Sequence, residues 1–84
     1  MGQQFQQQLK IRVSVLVFLK GNTAPLVLYV EDPMALYEEV LSYLKTAQTS
    51  NKIVEKETVG PIRKVAFMAS QVCAVALQEE QYIQ

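Results

Sequence analysis

The residues of this chain best suited to chemistry are its acids, one cysteine and a scatter of basic and aromatic side chains. Glu31-Asp32 and Glu38-Glu39 are adjacent carboxylate pairs. Glycosidase-type acid/base work needs two carboxyls facing each other across a substrate, in environments that separate their pKa values. Neighbouring acids on a solvated helical turn point in different directions, and Asp32 is better placed as a helix cap. Glu55, Glu57, Glu79 and Glu80 offer oxygens to a hard cation, but nothing spaces them like a calcium loop, and a solvated strand edge accounts for them. No metal is expected.

Cys73 is the only cysteine, and there is no histidine. A reactive thiol needs an electropositive, partly exposed setting, commonly beside a His or a helix N-terminus. Cys73 lies between Val72 and Ala74 in an apolar run, so a buried structural thiol is expected. A single cysteine makes neither an intrachain disulfide nor a zinc knuckle, and a cytoplasmic setting follows as an expectation. Gly2, Gly21 and Gly60 are isolated, which leaves no phosphate loop or dinucleotide fingerprint and no expected cofactor. With no activated nucleophile and no acid/base pair, the chain reads as something other than an enzyme.

The basic side chains suggest a surface instead. Lys10, Arg12 and Lys20 fall in one predicted strand and Arg63-Lys64 in a later one. If those strands were neighbours, Lys10, Arg12 and Lys64 would make a patch for RNA or DNA, with Tyr29 or Phe18 stacking on bases. Eight acidic and eight basic residues balance, however, whereas nucleic-acid binders usually carry excess Lys and Arg. The plainer reading is that these charges keep a β-rich surface in water and guard its edges. Tyr43 falls beside the apolar stripe of a predicted helix; an exposed aromatic there would suit an interface. Lys10, Arg12, Arg63, Lys64 and Tyr43 therefore form the candidate patch for a protein partner or nucleic acid.

These residues must be positioned by one small domain. The chain has 84 residues, half of them hydrophobic and 19% charged, which is enough apolar material for a core and too much for disorder. Surplus apolar surface on a small β-rich domain is often hidden by self-association. Met1–Gln8 is a glutamine-rich start with little to bury, expected to be flexible, and residues 9–84 are expected to form the domain. Val13–Leu19 is too short to cross a membrane. It has the flanking charge of a signal peptide but is closed at once by Lys20, with no convincing cleavage motif.

Leu9–Lys20 alternates, with Leu9, Ile11, Val13, Val15, Val17 and Leu19 on one face, and reads as a strand. Turn chemistry over 21–25 leads to a second strand, Leu26–Glu31, as an antiparallel hairpin. Asp32-Pro33 opens a helix predicted over about 33–48, with Tyr37, Val40, Leu41, Leu44 and Ala47 as its apolar stripe. Lys52–Val59 reads as a strand near a sheet edge, and Gly60-Pro61 as a turn.

The last third supports two readings. Ile62, Val65, Ala66, Ala69, Val72, Cys73 and Ala76 keep helical spacing; alternatively Arg63–Met68 and Gln71–Gln78 are strands joined near Ala69-Ser70. Phe67 and Val75 would lie on the polar face of such a helix, and Glu79-Glu80 would oppose its dipole, so strands are favoured. The predicted fold is α+β: a small, mostly antiparallel sheet (β-β-α-β-β-β) with one amphipathic helix, the alternative being β-β-α-β-α with a C-terminal helix. The predicted function is a non-enzymatic interaction or assembly module that contacts itself or another protein through an apolar sheet face or edge, with a nucleic-acid-binding domain as the alternative.

Overall fold

A computed structural model of the chain describes residues 9–46 and 51–83. Its elements are β1 (Leu9–Leu19), β2 (Leu26–Leu28), α1 (Pro33–Lys45), β3 (Ile53–Glu57), β4 (Lys64–Met68), a 3-10 turn (Ala69–Gln71) and β5 (Val72–Ile83). The architecture is α+β, with strands rather than a second helix in the last third. The expected flexible start, Met1–Gln8, and the last predicted helical residues, 47 and 48, lie outside the described residues.

Strand β1 is central, with another strand hydrogen-bonded at each of its edges, a place its β-branched residues suit. It pairs antiparallel with β2, Val15 opposite Leu28 and Val17 opposite Leu26. It also pairs antiparallel with β5 along its whole length, from Leu9 opposite Ile83 to Phe18 opposite Ala74. The register slips after Phe18, so that Leu19 faces Val72 and Cys73 is the extra, bulged residue on β5. The first hairpin turns through Gly21, whose φ of +81° is a left-handed conformation that glycine adopts without strain.

Strands β3 and β4 form a separate hairpin, Val54 opposite Phe67. A single bridge, Tyr29 with Val59, joins it to the far end of β2, the Val59 amide donating to the Tyr29 carbonyl at 2.7 Å. At the other end the Ala69 amide donates to the Lys52 carbonyl at 2.9 Å, and the Lys20 amide to the Gln71 carbonyl at 2.8 Å. The sheet β2-β1-β5 thus carries the β3-β4 hairpin at its β2 side, while α1 lies over β5 and β1 and reaches the 3-10 turn.

Asp32 caps α1 as expected, its carboxylate accepting from the Ala35 amide at 3.1 Å, with Pro33 in the first turn. The buried stripe differs from the predicted one. Leu36, Val40 and Tyr43 are buried, whereas Tyr37 and Leu41 are half-buried and Leu44 is exposed. The helix is rotated toward β3 because the hairpin adds a second apolar wall, Val54 and Phe67, which the spacing of helix residues does not reveal. The core joins those side chains to Val15, Val17, Leu28, Ala69 and Val72.

Two side chains fall on the opposite side of the surface from expectation. Tyr43, expected to be exposed, is buried at 6% relative accessibility because that rotation turns it inward. Cys73, expected to be buried, is exposed because the bulge lifts it out of the alternation of β5. No helix among the described residues is long and apolar enough to cross a membrane.

Candidate functional site

β2 pairs only with Val15–Val17, so Leu9–Val13 and Glu79–Ile83 continue as a two-stranded ribbon. Side chains alternate across such a ladder, and its two faces carry different chemistry. One face presents Leu9 and Ile11, exposed at 64% and 60%, with half-buried Val13 leading to Leu77 on β5. These residues continue the face that Val15 and Val17 bury, but the helix does not extend over them.

On the other face, Arg12 sits between two tyrosine rings, 4.5 Å from the Tyr29 centroid and 5.5 Å from that of Tyr82. Its guanidinium donates to Glu80 Oε1 from Nε at 3.2 Å and from Nη2 at 3.1 Å, and the Tyr29 hydroxyl donates to the same oxygen at 3.1 Å. Ser14, fully buried, donates to Gln78 at 3.4 Å. The cluster ties the outgoing ribbon to Tyr29, and through the Tyr29–Val59 bridge to the second hairpin. With both charged side chains solvent-accessible, its ion pair contributes ~0–1 kcal/mol, and the stacked rings add a comparable amount.

The predicted basic patch is distributed over this frame. Lys10 is on the ribbon, half-buried and across from Tyr82. Arg12 spends its charge on Glu80. Arg63 and Lys64 are exposed at the start of β4, which pairs with β3 and not with β1. The strands on which a shared patch depended are therefore not hydrogen-bonded neighbours. Tyr43 lies apart, between α1 and β3, where its hydroxyl donates to Glu39 Oε2 at 2.6 Å and Lys52 Nζ stands 5.1 Å from its ring. Glu39 and Lys56, outside the predicted patch, complete this second cluster with an ion pair of 2.8 Å.

Electrostatics at Glu39 and Tyr43 follow from that geometry. Partial burial works against the Glu39 carboxylate, but hydrogen bonds from Lys56 and Tyr43, with the charges of Lys56 and Lys52, outweigh it and hold its pKa below the ordinary value. Burial, then the hydrogen bond to Glu39 and the charge of that carboxylate, push the Tyr43 phenol up to about 12. Such a pair is a structural tether: a phenol held neutral and a carboxylate held charged have no proton to exchange near neutral pH.

Beside this pair is a cleft of about 160 Å³ between the first half of α1 and β3, lined by Val30, Asp32, Leu36 and Lys56 among others. A neighbouring depression of about 280 Å³ is lined by Glu31, Glu57, Thr58 and Val59. Neither reaches the ~300 Å³ at which small-molecule pockets usually begin. Among the described residues, no group of three or more acids and cysteines is arranged to hold a metal ion.

No protein-family model, curated protein or solved structure matches this chain. The arrangement of its own residues therefore carries the functional reading.

Proposed function

We propose that this chain is a non-enzymatic interaction or assembly module that associates with itself or with another protein through apolar sheet surface. The observation that carries this reading is the ribbon: Leu9 and Ile11 stand more than half exposed on the same face that buries Val15 and Val17 a few residues later. Extending a strand pair past its cover holds apolar side chains in water, a cost removed when another surface covers them. An exposed free thiol at Cys73 suits a reducing compartment, so we place the module in the cytoplasm.

Light scattering at micromolar concentration and binding of a hydrophobic dye test the reading together. The wild type is expected to scatter above monomer mass or to bind the dye. Replacing Leu9 and Ile11 with lysine is expected to reduce dye binding while leaving the circular dichroism unchanged. A wild type that is strictly monomeric and also binds no dye would remove the basis for an apolar interaction surface.

A further inference from the structure

We propose that the partner is a second copy of this chain, docked across a two-fold axis by the open edge of β5 and the outer flank of α1. The inference rests on the interaction-module reading and adds to it a second surface, apart from the Leu9–Ile11 ribbon face.

Strand β5 ends the order β2-β1-β5, so no strand pairs with its outer edge among the described residues. It is twelve residues long, and its first part, Val72–Gln78, contains no charged residue and no proline, the residues that most often protect an edge from pairing. Its bulge at Cys73 lies at the very start and leaves the remaining edge regular.

The helix above that edge has a second apolar stripe. At 100° per residue, Met34, Tyr37, Leu41 and Leu44 fall on one flank, separate from the buried Leu36, Val40 and Tyr43. Met34 is 54% exposed and Leu44 36%, and Tyr37 and Leu41 are half-buried. The opposite flank is fixed by the Glu39–Lys56 ion pair, which turns it toward β3. Because the hairpin sits at the β2 side of the sheet, the Met34–Leu44 flank faces the other way, out over the free edge of β5.

The lengths agree. The helix begins where β2 ends, level with Val15 and Leu77, and its C-terminal end reaches the 3-10 turn that leads into Val72. Thirteen helical residues span about 20 Å and Val72–Leu77 about 17 Å, so their midpoints coincide near Val75. A two-fold axis through that point and perpendicular to the sheet would pair β5 antiparallel with its copy and lay the two helices antiparallel on the same face.

Both elements are self-complementary under this operation. On the helix, Met34 of one copy meets Leu44 of the other and Tyr37 meets Leu41. Lys45 comes to the N-terminal end of the other helix, beside Asp32. Asp32 and Lys45 are exposed, and among the described residues neither forms an ion pair. On the strand, Val75 faces Val75 and Val72 faces Gln78, so the paired stretch ends short of Glu79 and no like charges stand opposite each other. The isologous surface closes on itself as a dimer, which an open head-to-tail pairing of edges would not.

Sedimentation and disulfide trapping test the inference on the full-length chain. The wild type is expected at twice the monomer mass, and Leu44→Glu is expected to weaken the dimer at least ~100-fold while keeping the wild-type circular dichroism. In a Cys73→Ser background, Met34→Cys combined with Leu44→Cys is expected to form an intermolecular disulfide. Neither cysteine alone should do so, since in antiparallel helices each faces the other position and not itself. Within one helix the two positions are about 15 Å apart, beyond the ~4.4–6.8 Å that a disulfide spans. A dimer that survives Leu44→Glu and does not crosslink overturns this surface but leaves the assembly reading standing. A monomeric wild type that binds hydrophobic dye overturns the second copy as partner and leaves a different protein as the occupant.

Discussion

From Val15 to Val17, β1 has β2 on one side, β5 on the other and α1 over its inner face, and Val15 and Val17 are completely buried. From Leu9 to Val13 the same strand has β5 alone, and its apolar side chains stand largely in water. The residue types barely change between the two stretches, and the ladder to β5 is continuous. What differs is the other two neighbours, β2 and α1. Alternation tells a strand which side chains share a face, but burial requires another element to lie against that face.

The sharpest way to break this comparison is to remove equivalent side chains from its two halves. Leu28→Ala, at a fully buried site opposite Val15, is expected to cost ~2–5 kcal/mol in denaturant unfolding. Ile11→Ala is expected to stay within ~0.5 kcal/mol for the isolated monomer, because it leaves no cavity. Equal losses at the two positions would show that the ribbon is covered in solution.

The two polar clusters offer a finer contrast. Tyr43 is held neutral with a pKa of about 12, above its ordinary value of 10. A group whose folded pKa is raised stabilises the fold below the unfolded value, and that contribution disappears as pH rises through the folded one. Stability should therefore decline between pH 10 and 12. Tyr43→Phe should lower neutral-pH stability by ~1 kcal/mol and flatten that decline, as thermal melts across the alkaline range would show. Glu39 works in the opposite sense: its depressed pKa supports the fold above the ordinary carboxylate range, and that support disappears as pH falls through the lowered value.

The smallest effect is expected in the ribbon. Glu80→Gln removes the charge that Arg12 and the Tyr29 hydroxyl share, at a cost of ~0.5 kcal/mol. Hydrogen exchange should accelerate at the amides of Leu9–Val13 and not at those of Val15–Val17. Uniform acceleration along β1 would mean that the ribbon and the covered half open together.

Much of the fold was legible because local signals agreed with one another. Asp32-Pro33 marks the helix start through the requirements of a cap and of the first helical turn, and the structure has both. The alternation of Leu9–Leu19, the glycine turn and the choice of strands after Gly60 also depend on neighbours close in sequence. The site was less legible. Arg12 and Glu80 are 68 positions apart, and only the β1-β5 register brings them together with Tyr29 and Tyr82. Likewise, Tyr43 was misplaced because a stripe drawn from one helix cannot register the hairpin wall of Val54 and Phe67, which turns Tyr43 inward and leaves Leu44 outside.

By itself, then, the sequence determined the order of elements, the capped helix and which side chains share a face, because backbone preference and side-chain period act over a few residues. Tertiary structure decided which faces are covered. It pairs β5 with β1, hangs the second hairpin from Tyr29 and turns α1 toward β3, and those long-range placements leave the ribbon face, the β5 edge and the Met34–Leu44 flank open. Burial depends on the element that arrives from elsewhere in the chain, and no local pattern encodes that arrival.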